Sequence, residues 1–158
     1  MSMLNQKAPD FTLPNASGTL VTLSDVYAKG PVVVYFYPKD ETPGCTAEAC
    51  AFRDAYEDFK SAGAEVIGIS ADNGASHVKF AGKHRLPFIL LSDEGDKVAK
   101  QYGIKSVAFG LIKGRETFVL DQKGLIRQHF VSAVRMAAHV TEAIRTIKGL
   151  DQSPQPRV

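Results

Sequence analysis

Residues suited to β-strands gather in five short runs along the chain, at 30–37, 65–70, 88–91, 117–120 and 125–131, with helix-like stretches between several of them. Between 43 and 61, Ala49, Phe52, Tyr56 and Phe59 recur at helical spacing, and Gly63 follows where a C-terminal cap belongs. That segment is predicted to be the main helix. Further helices are predicted at 75–84, 96–102 and 136–148, the last turning Val140, Ala143, Ile144 and Ile147 inward. Asp121 to Gly124 sits between two β-rich runs and predicts an antiparallel hairpin. Residues 11–14 and 20–23 flank a turn-like Asn15-Ala-Ser-Gly18 and predict a second, weaker hairpin ahead of the main body. The alternation reads as α/β with a mixed sheet.

Length and composition narrow this picture. A chain of 158 residues has room for one domain with a real core. The single domain is expected over 1–148, with 149–158 as a frayed tail. Apolar residues make up 44% and charged residues 23%, the balance of an ordinary globular protein. The net charge of +2 is interspersed, so no nucleic-acid partner is expected. The longest apolar run, Val32 to Tyr37, falls far short of the roughly 20 residues of a membrane span. No membrane association is expected. The first ten residues carry no apolar stretch of the secretory kind, which makes the cytoplasm the expected location.

The two cysteines, Cys45 and Cys50, are too few for a disulfide scaffold and are candidates for chemistry. They lie where the most apolar strand turns into the main helix, a place where α/β proteins put their sites. Thr42 followed by Pro43 fits an N-cap with proline at the first helical position, placing Cys45 in the first turn. Free backbone N–H groups and the helix dipole there favour a thiolate. The bland alternative is a small buried hydrophobe. At about 100° per residue Cys45 shares the face of Ala49, Phe52, Tyr56 and Phe59, whereas Cys50 points outward. Five helical residues separate their Cα atoms by about 8.6 Å. A disulfide reaches at most about 6.8 Å, so bonding requires the first turns to unwind.

Pro38, Thr42 and Cys45 reproduce the spacing of the peroxiredoxin active site: Pro, three residues, Thr, two residues, Cys. The continuation from Cys45 to Asp54, and the later stretch from Gly114 to Asp121, resemble the peroxiredoxin Q branch, also called bacterioferritin comigratory protein. The likeness covers about residues 5–148. It implies a thioredoxin-like fold, a central mixed sheet flanked by helices with an N-terminal hairpin extension. It also implies reduction of hydrogen peroxide or organic hydroperoxides, with thioredoxin or a similar dithiol protein as reductant, no metal or organic cofactor, and a monomer. Carried over by position, Cys45 is the peroxidatic cysteine and Cys50 resolves it within one chain. Thr42 hydrogen-bonds peroxide and thiolate, Pro38 shields the pocket, and Arg115 stabilises thiolate and transition state. Glu48 is left outside this set, since an acid in a first turn ordinarily complements the helix dipole.

Rival readings are weaker. A Cu(I)-binding module would suit soft thiolates, but the two cysteines diverge in direction. A thioredoxin-like reductase would need Cys-x-x-Cys, which is missing. Gly68-Ile-Ser70-Ala-Asp72 reads as a strand ending in a polar turn rather than a nucleophile elbow. The four histidines, at 77, 84, 129 and 139, read as solvated.

Overall fold

The computed structural model describes residues 3–104, 106–107, 112–113, 115–132 and 134–151. In chain order the elements are β1 (Thr12–Pro14), β2 (Leu20–Thr22), α1 (Leu23–Tyr27), β3 (Val32–Phe36), α2 (Pro43–Ser61), β4 (Glu65–Ser70) and α3 (Gly74–His84). They continue with β5 (Ile89–Ser92), a 3-10 turn at Glu94–Asp96, α4 (Lys97–Gln101), β6 (Ser106–Val107) and β7 (Ile112–Lys113). The chain closes with β8 (Glu116–Leu120), β9 (Ile126–Val131) and α5 (Met136–Asp151).

A five-stranded sheet runs β5-β4-β3-β8-β9. The pairs β3/β4 and β4/β5 are parallel, while β8 lies antiparallel to both β3 and β9. Every residue of β3 is buried because this central strand is covered on both faces, which explains its unbroken apolar run. Alternation sends Val33 and Tyr35 to one layer, with Phe52, Phe59, Phe80, Val140 and Ile147 from α2, α3 and α5. Val32, Val34 and Phe36 go to the other, with Leu23, Tyr27, Val98 and Tyr102 from the α1 and α4 side. Thioredoxin-type α/β architecture with helices on both faces is thus what the strand pattern builds.

Helix α2 ends as its sequence requires. Gly63 adopts φ +79, a left-handed position that glycine takes without steric cost, and Ala64 N–H reaches back to the Phe59 carbonyl. The hairpin β8–β9 turns at Asp121, whose Oδ1 accepts from the Lys123 and Leu125 N–H groups. The N-terminal hairpin pairs Thr12 with Thr22 and is bridged to the main sheet through Asn15 and Leu91.

Several expectations shift. The predicted helix at 96–102 is a 3-10 turn followed by five residues of α4, because Gly95 and Asp96 both take positive φ and break the helix there. Helix α5 runs to Asp151, so Gly149 to Asp151 continue it instead of fraying, and Leu150 packs against the core. Residues 152–158 of the predicted tail lie outside the described residues.

One buried group stands out energetically. The Tyr35 hydroxyl has no polar partner among the described residues and is packed against Gly68 and Leu90. Tyr35→Phe is therefore expected to leave stability unchanged or raise it by about 1 kcal/mol, since a stranded buried hydroxyl is relieved. Phe52→Ala, beneath the Tyr35 ring at 4.5 Å, is expected to cost about 3–5 kcal/mol. Urea midpoints of the reduced proteins check both.

Candidate active site

The site forms at the C-terminal end of β3, where the loop 37–42 leads into α2. Thr42 occupies the N-cap with extended backbone and Pro43 follows at the first helical position. Cys45 then falls in the first turn with its side chain in the core layer, 1% exposed. The register between β3 and β8 pairs Phe36 with Glu116, which sets Arg115 beside the start of the same loop. Two segments 80 residues apart in sequence are joined by this one pairing.

Arg115 Nη1 lies 3.2 Å from Cys45 Sγ and 3.0 Å from Glu48 Oε1. One nitrogen thus donates to a thiol sulfur and to a carboxylate in a pocket where Glu48 has no exposure. A guanidinium N–H aimed at sulfur binds a thiolate more strongly than a thiol. Burial works against the charge on Arg115, but the Glu48 carboxylate and Cys45 outweigh it and hold the guanidinium above its ordinary value. Gly44 makes the approach possible: a Cβ there would come within 2.9 Å of Arg115 Nη2 and 3.0 Å of Met136 Cε.

Glu48 belongs to this cluster and does more than complement the helix dipole, since it pairs with Arg115. Desolvation raises its pKa to about 7 against the pull of Arg115. Its Oε2 has no hydrogen-bond partner among the described residues and faces His139 Nδ1 at 3.5 Å. His139 cannot satisfy it. Its Nε2 must donate to the Ser132 carbonyl at 2.8 Å, and burial lowers its pKa, so Nδ1 is left to accept from Thr117 Oγ1 at 2.7 Å. The helical spacing carried the missed signal, since position 48 lies only about 60° from Cys45 around the helix.

The other sequence-predicted residues fall as follows. The Thr42 hydroxyl donates to the Lys39 carbonyl at 3.0 Å and does not cap α2. Pro38 is half-buried between β3 and the loop. Cys50 is half-buried rather than turned fully outward, and both cysteines are free thiols. They share one continuous helix, α2. A guanidinium 3.2 Å from Cys45 is the wrong neighbour for a metal cation, which removes the basis of the copper reading. The histidines are not all solvated: His77 and His139 are fully buried. Each faces a backbone carbonyl through one ring nitrogen, so the inner faces of α3 and α5 carry them.

A model of the AhpC/TSA family matches residues 4–129. Chloroplastic peroxiredoxin Q of Triticum aestivum is 54% identical over 142 residues, covering 90% of this chain. The crystal structure of peroxidoxin BcpB from Mycobacterium tuberculosis superposes with a TM-score of 0.87 at 38% identity, covering 93% of this chain and 97% of that one. The chain belongs to the AhpC/TSA family. Within that family its relatives are peroxiredoxins of the Q type, and it spans 65% of the wheat relative's own length. A further family structure is Xanthomonas campestris bacterioferritin comigratory protein, described for its alkyl peroxide reduction activity. It has a TM-score of 0.81 and 32% identity, covering 90% of this chain and 92% of that one. The family relatives also correct the cytoplasmic expectation: those from wheat, Populus jackii, Sedum lineare and Arabidopsis thaliana are chloroplastic. An N-terminus without an apolar stretch therefore does not assign a family member to the cytoplasm.

The raised pKa of Glu48 has a signed consequence for stability. An unfolded carboxyl titrates near 4.5 and the folded one near 7, so the native state holds the extra proton between these values. The stabilisation is complete below pH 4.5 and is lost as pH rises through 7, amounting to about 3 kcal/mol. Glu48→Gln is expected to remove this decline. Urea unfolding of the two reduced proteins at pH 5 and pH 8 measures the difference in slope.

Proposed function

We propose that the chain is a thiol peroxidase acting on hydrogen peroxide and organic hydroperoxides through Cys45. The observation that supports this reading is Arg115 Nη1 at 3.2 Å from a buried cysteine sulfur at a helix N-terminus. Such a sulfur is held as a nucleophile, and the same guanidinium can follow charge onto the departing oxygen. The Cys45 thiolate attacks one oxygen of ROOH, the O–O bond breaks, and Cys45 becomes a sulfenic acid. The leaving RO⁻ takes a proton and departs as alcohol or water. The Cys50 thiol then displaces water from the sulfenic sulfur, forming a disulfide that a thioredoxin-like dithiol reduces with two electrons.

Thr42 Oγ1, whose O–H already donates to the Lys39 carbonyl, is left to accept the hydroperoxide O–H. Pro38 closes the pocket to water from the loop side. Both thiols come from one chain, so the cycle closes within a monomer. Organic hydroperoxides are favoured by the alkyl peroxide reduction activity of the Xanthomonas campestris relative.

Disulfide formation must open α2. Both cysteines lie in that helix, at an ideal Cα separation of about 8.6 Å, too far for a disulfide. Amide hydrogen exchange between Thr42 and Arg53 is expected to accelerate on oxidation, and unchanged protection would exclude a Cys45–Cys50 bond.

One equivalent of hydrogen peroxide, quenched within seconds and read by intact mass and free thiols, tests the chemistry. Wild type is expected to lose both thiols, Cys50→Ser to trap an oxidised Cys45, and Cys45→Ser to remain inert. Arg115→Gln is expected to slow Cys45 oxidation by about 100-fold, the usual loss for one oxyanion donor. Equal, slow oxidation of both thiols in every protein would overturn the proposal.

A further inference from the structure

The loop that delivers Cys45 has a second buried attachment, on the side away from Arg115. Asp40 is 4% exposed, and its carboxylate oxygens are fully engaged. Oδ1 accepts from the Tyr37 hydroxyl at 2.5 Å, and Oδ2 accepts from Ser76 Oγ at 2.8 Å and lies 2.7 Å from His77 Nδ1. The Asp40 backbone N–H donates to Asp72 Oδ2 at 2.7 Å, and Asp72 is itself held by the Ser70 hydroxyl. His77 has no exposure, and its second nitrogen, Nε2, lies 3.0 Å from the Leu91 carbonyl oxygen.

Both ring nitrogens of His77 therefore face oxygens that accept: a carboxylate and a peptide carbonyl. A neutral imidazole has a single N–H and satisfies only one of them. An imidazolium satisfies both and supplies the positive charge that a buried carboxylate requires. The pair ties the loop between β3 and α2 to α3, and through Leu91 to β5.

The attachment ends abruptly at the next residue. Glu41 is exposed and takes φ +67, a left-handed conformation unfavourable for a side-chain-bearing residue. Among the described residues its carboxylate meets the exposed Lys83 at 3.2 Å and the half-buried His84 at 3.3 Å. A firmly held segment, 37–40, thus abuts a strained and lightly held residue just before the helix that carries both cysteines.

We propose that His77 and Asp40 form a buried imidazolium–carboxylate latch that positions the Cys45 loop, so that the backbone yields at Glu41 and beyond while residues 37–40 stay in place. His77 is a positioning residue: it acts through Asp40 and touches neither thiol. The proposal rests on the peroxidase reading for its kinetic consequence, and on geometry alone for the latch.

The test uses reduced full-length protein and its His77→Gln, Asp40→Asn and doubly substituted forms. Nitrogen-15 spectra of wild-type His77 are expected to show both ring nitrogens protonated; a single protonated nitrogen overturns the latch. Amide exchange at 38–42 is expected to rise at least 10-fold in each single variant and to fall back in the double variant, where two neutral amides replace the ion pair. Unchanged exchange in His77→Gln overturns the proposal too. Cys45 oxidation by hydrogen peroxide is expected to slow about 10-fold in each single variant and recover in the double variant, while conversion of the oxidised Cys45 to disulfide is not slowed. Equal slowing of both steps overturns the positioning role. Slow oxidation of wild-type Cys45, no faster than Cys50, would instead count against the peroxidase reading, and the latch would still be judged by the spectra and the exchange rates.

Discussion

A guanidinium inside a hydrophobic layer tolerates its position only when its N–H groups find acceptors, and Arg115 has two at its Nη1, the Cys45 sulfur and the Glu48 carboxylate. Much of the local architecture serves that single nitrogen. The antiparallel placement of β8 beside β3 brings Arg115 to the right end of the sheet. Gly44 leaves space for it, and α5 closes the pocket with Met136 and His139. Glu48 bears the cost, since its second oxygen is left facing a neutral imidazole that has no proton for it. Its first oxygen and the Cys45 sulfur share the same Arg115 nitrogen, so the guanidinium is held by both at once.

The second constraint is the helix itself. Five residues of α2 keep the two thiols apart on one continuous helix. The helix is unevenly fastened. Its C-terminal half buries Phe52 and Phe59 and ends in a fully bonded cap. At its N-terminus the Thr42 side chain makes no capping bond, and no acid in the first turn complements the dipole. The uncapped end is the one that the proposed Cys45–Cys50 bond would require to open.

The sheet and long helices were legible because burial on one or both faces writes itself into the sequence as runs and stripes. The short α1, β6 and β7 were not, since two to five residues carry no period to read. In the site, Cys45 and Arg115 were legible through a motif and a resemblance. Glu48, His77 and His139 were not, because a polar residue looks the same in a pattern whether it meets water or a buried partner. Only their positions gave a hint. Glu48 falls about 40° beyond Phe52, at the edge of the buried face, and His139 stands one turn before the buried Ala143. Cellular location was illegible for a different reason: it depends on targeting rather than on the folded domain.

Residues 37–45 are thus a short bridge between two buried charges of opposite design. At one end Asp40 is an anion with a full complement of donors from the loop and α3. At the other, Cys45 shares its donor with Glu48, and the proposed attack on a hydroperoxide would turn it into a neutral sulfenic acid. Once the sulfur becomes a neutral sulfenic acid, its bond to Arg115 weakens from a charge-assisted one to an ordinary one. The Asp40 end does not change in that step. On the proposed chemistry, oxidation would loosen the bridge on one side only, the side that carries the helix turns separating Cys45 from Cys50. The proposed attack at the sulfur and the helix opening that a Cys45–Cys50 bond would require therefore meet at the same contact with Arg115.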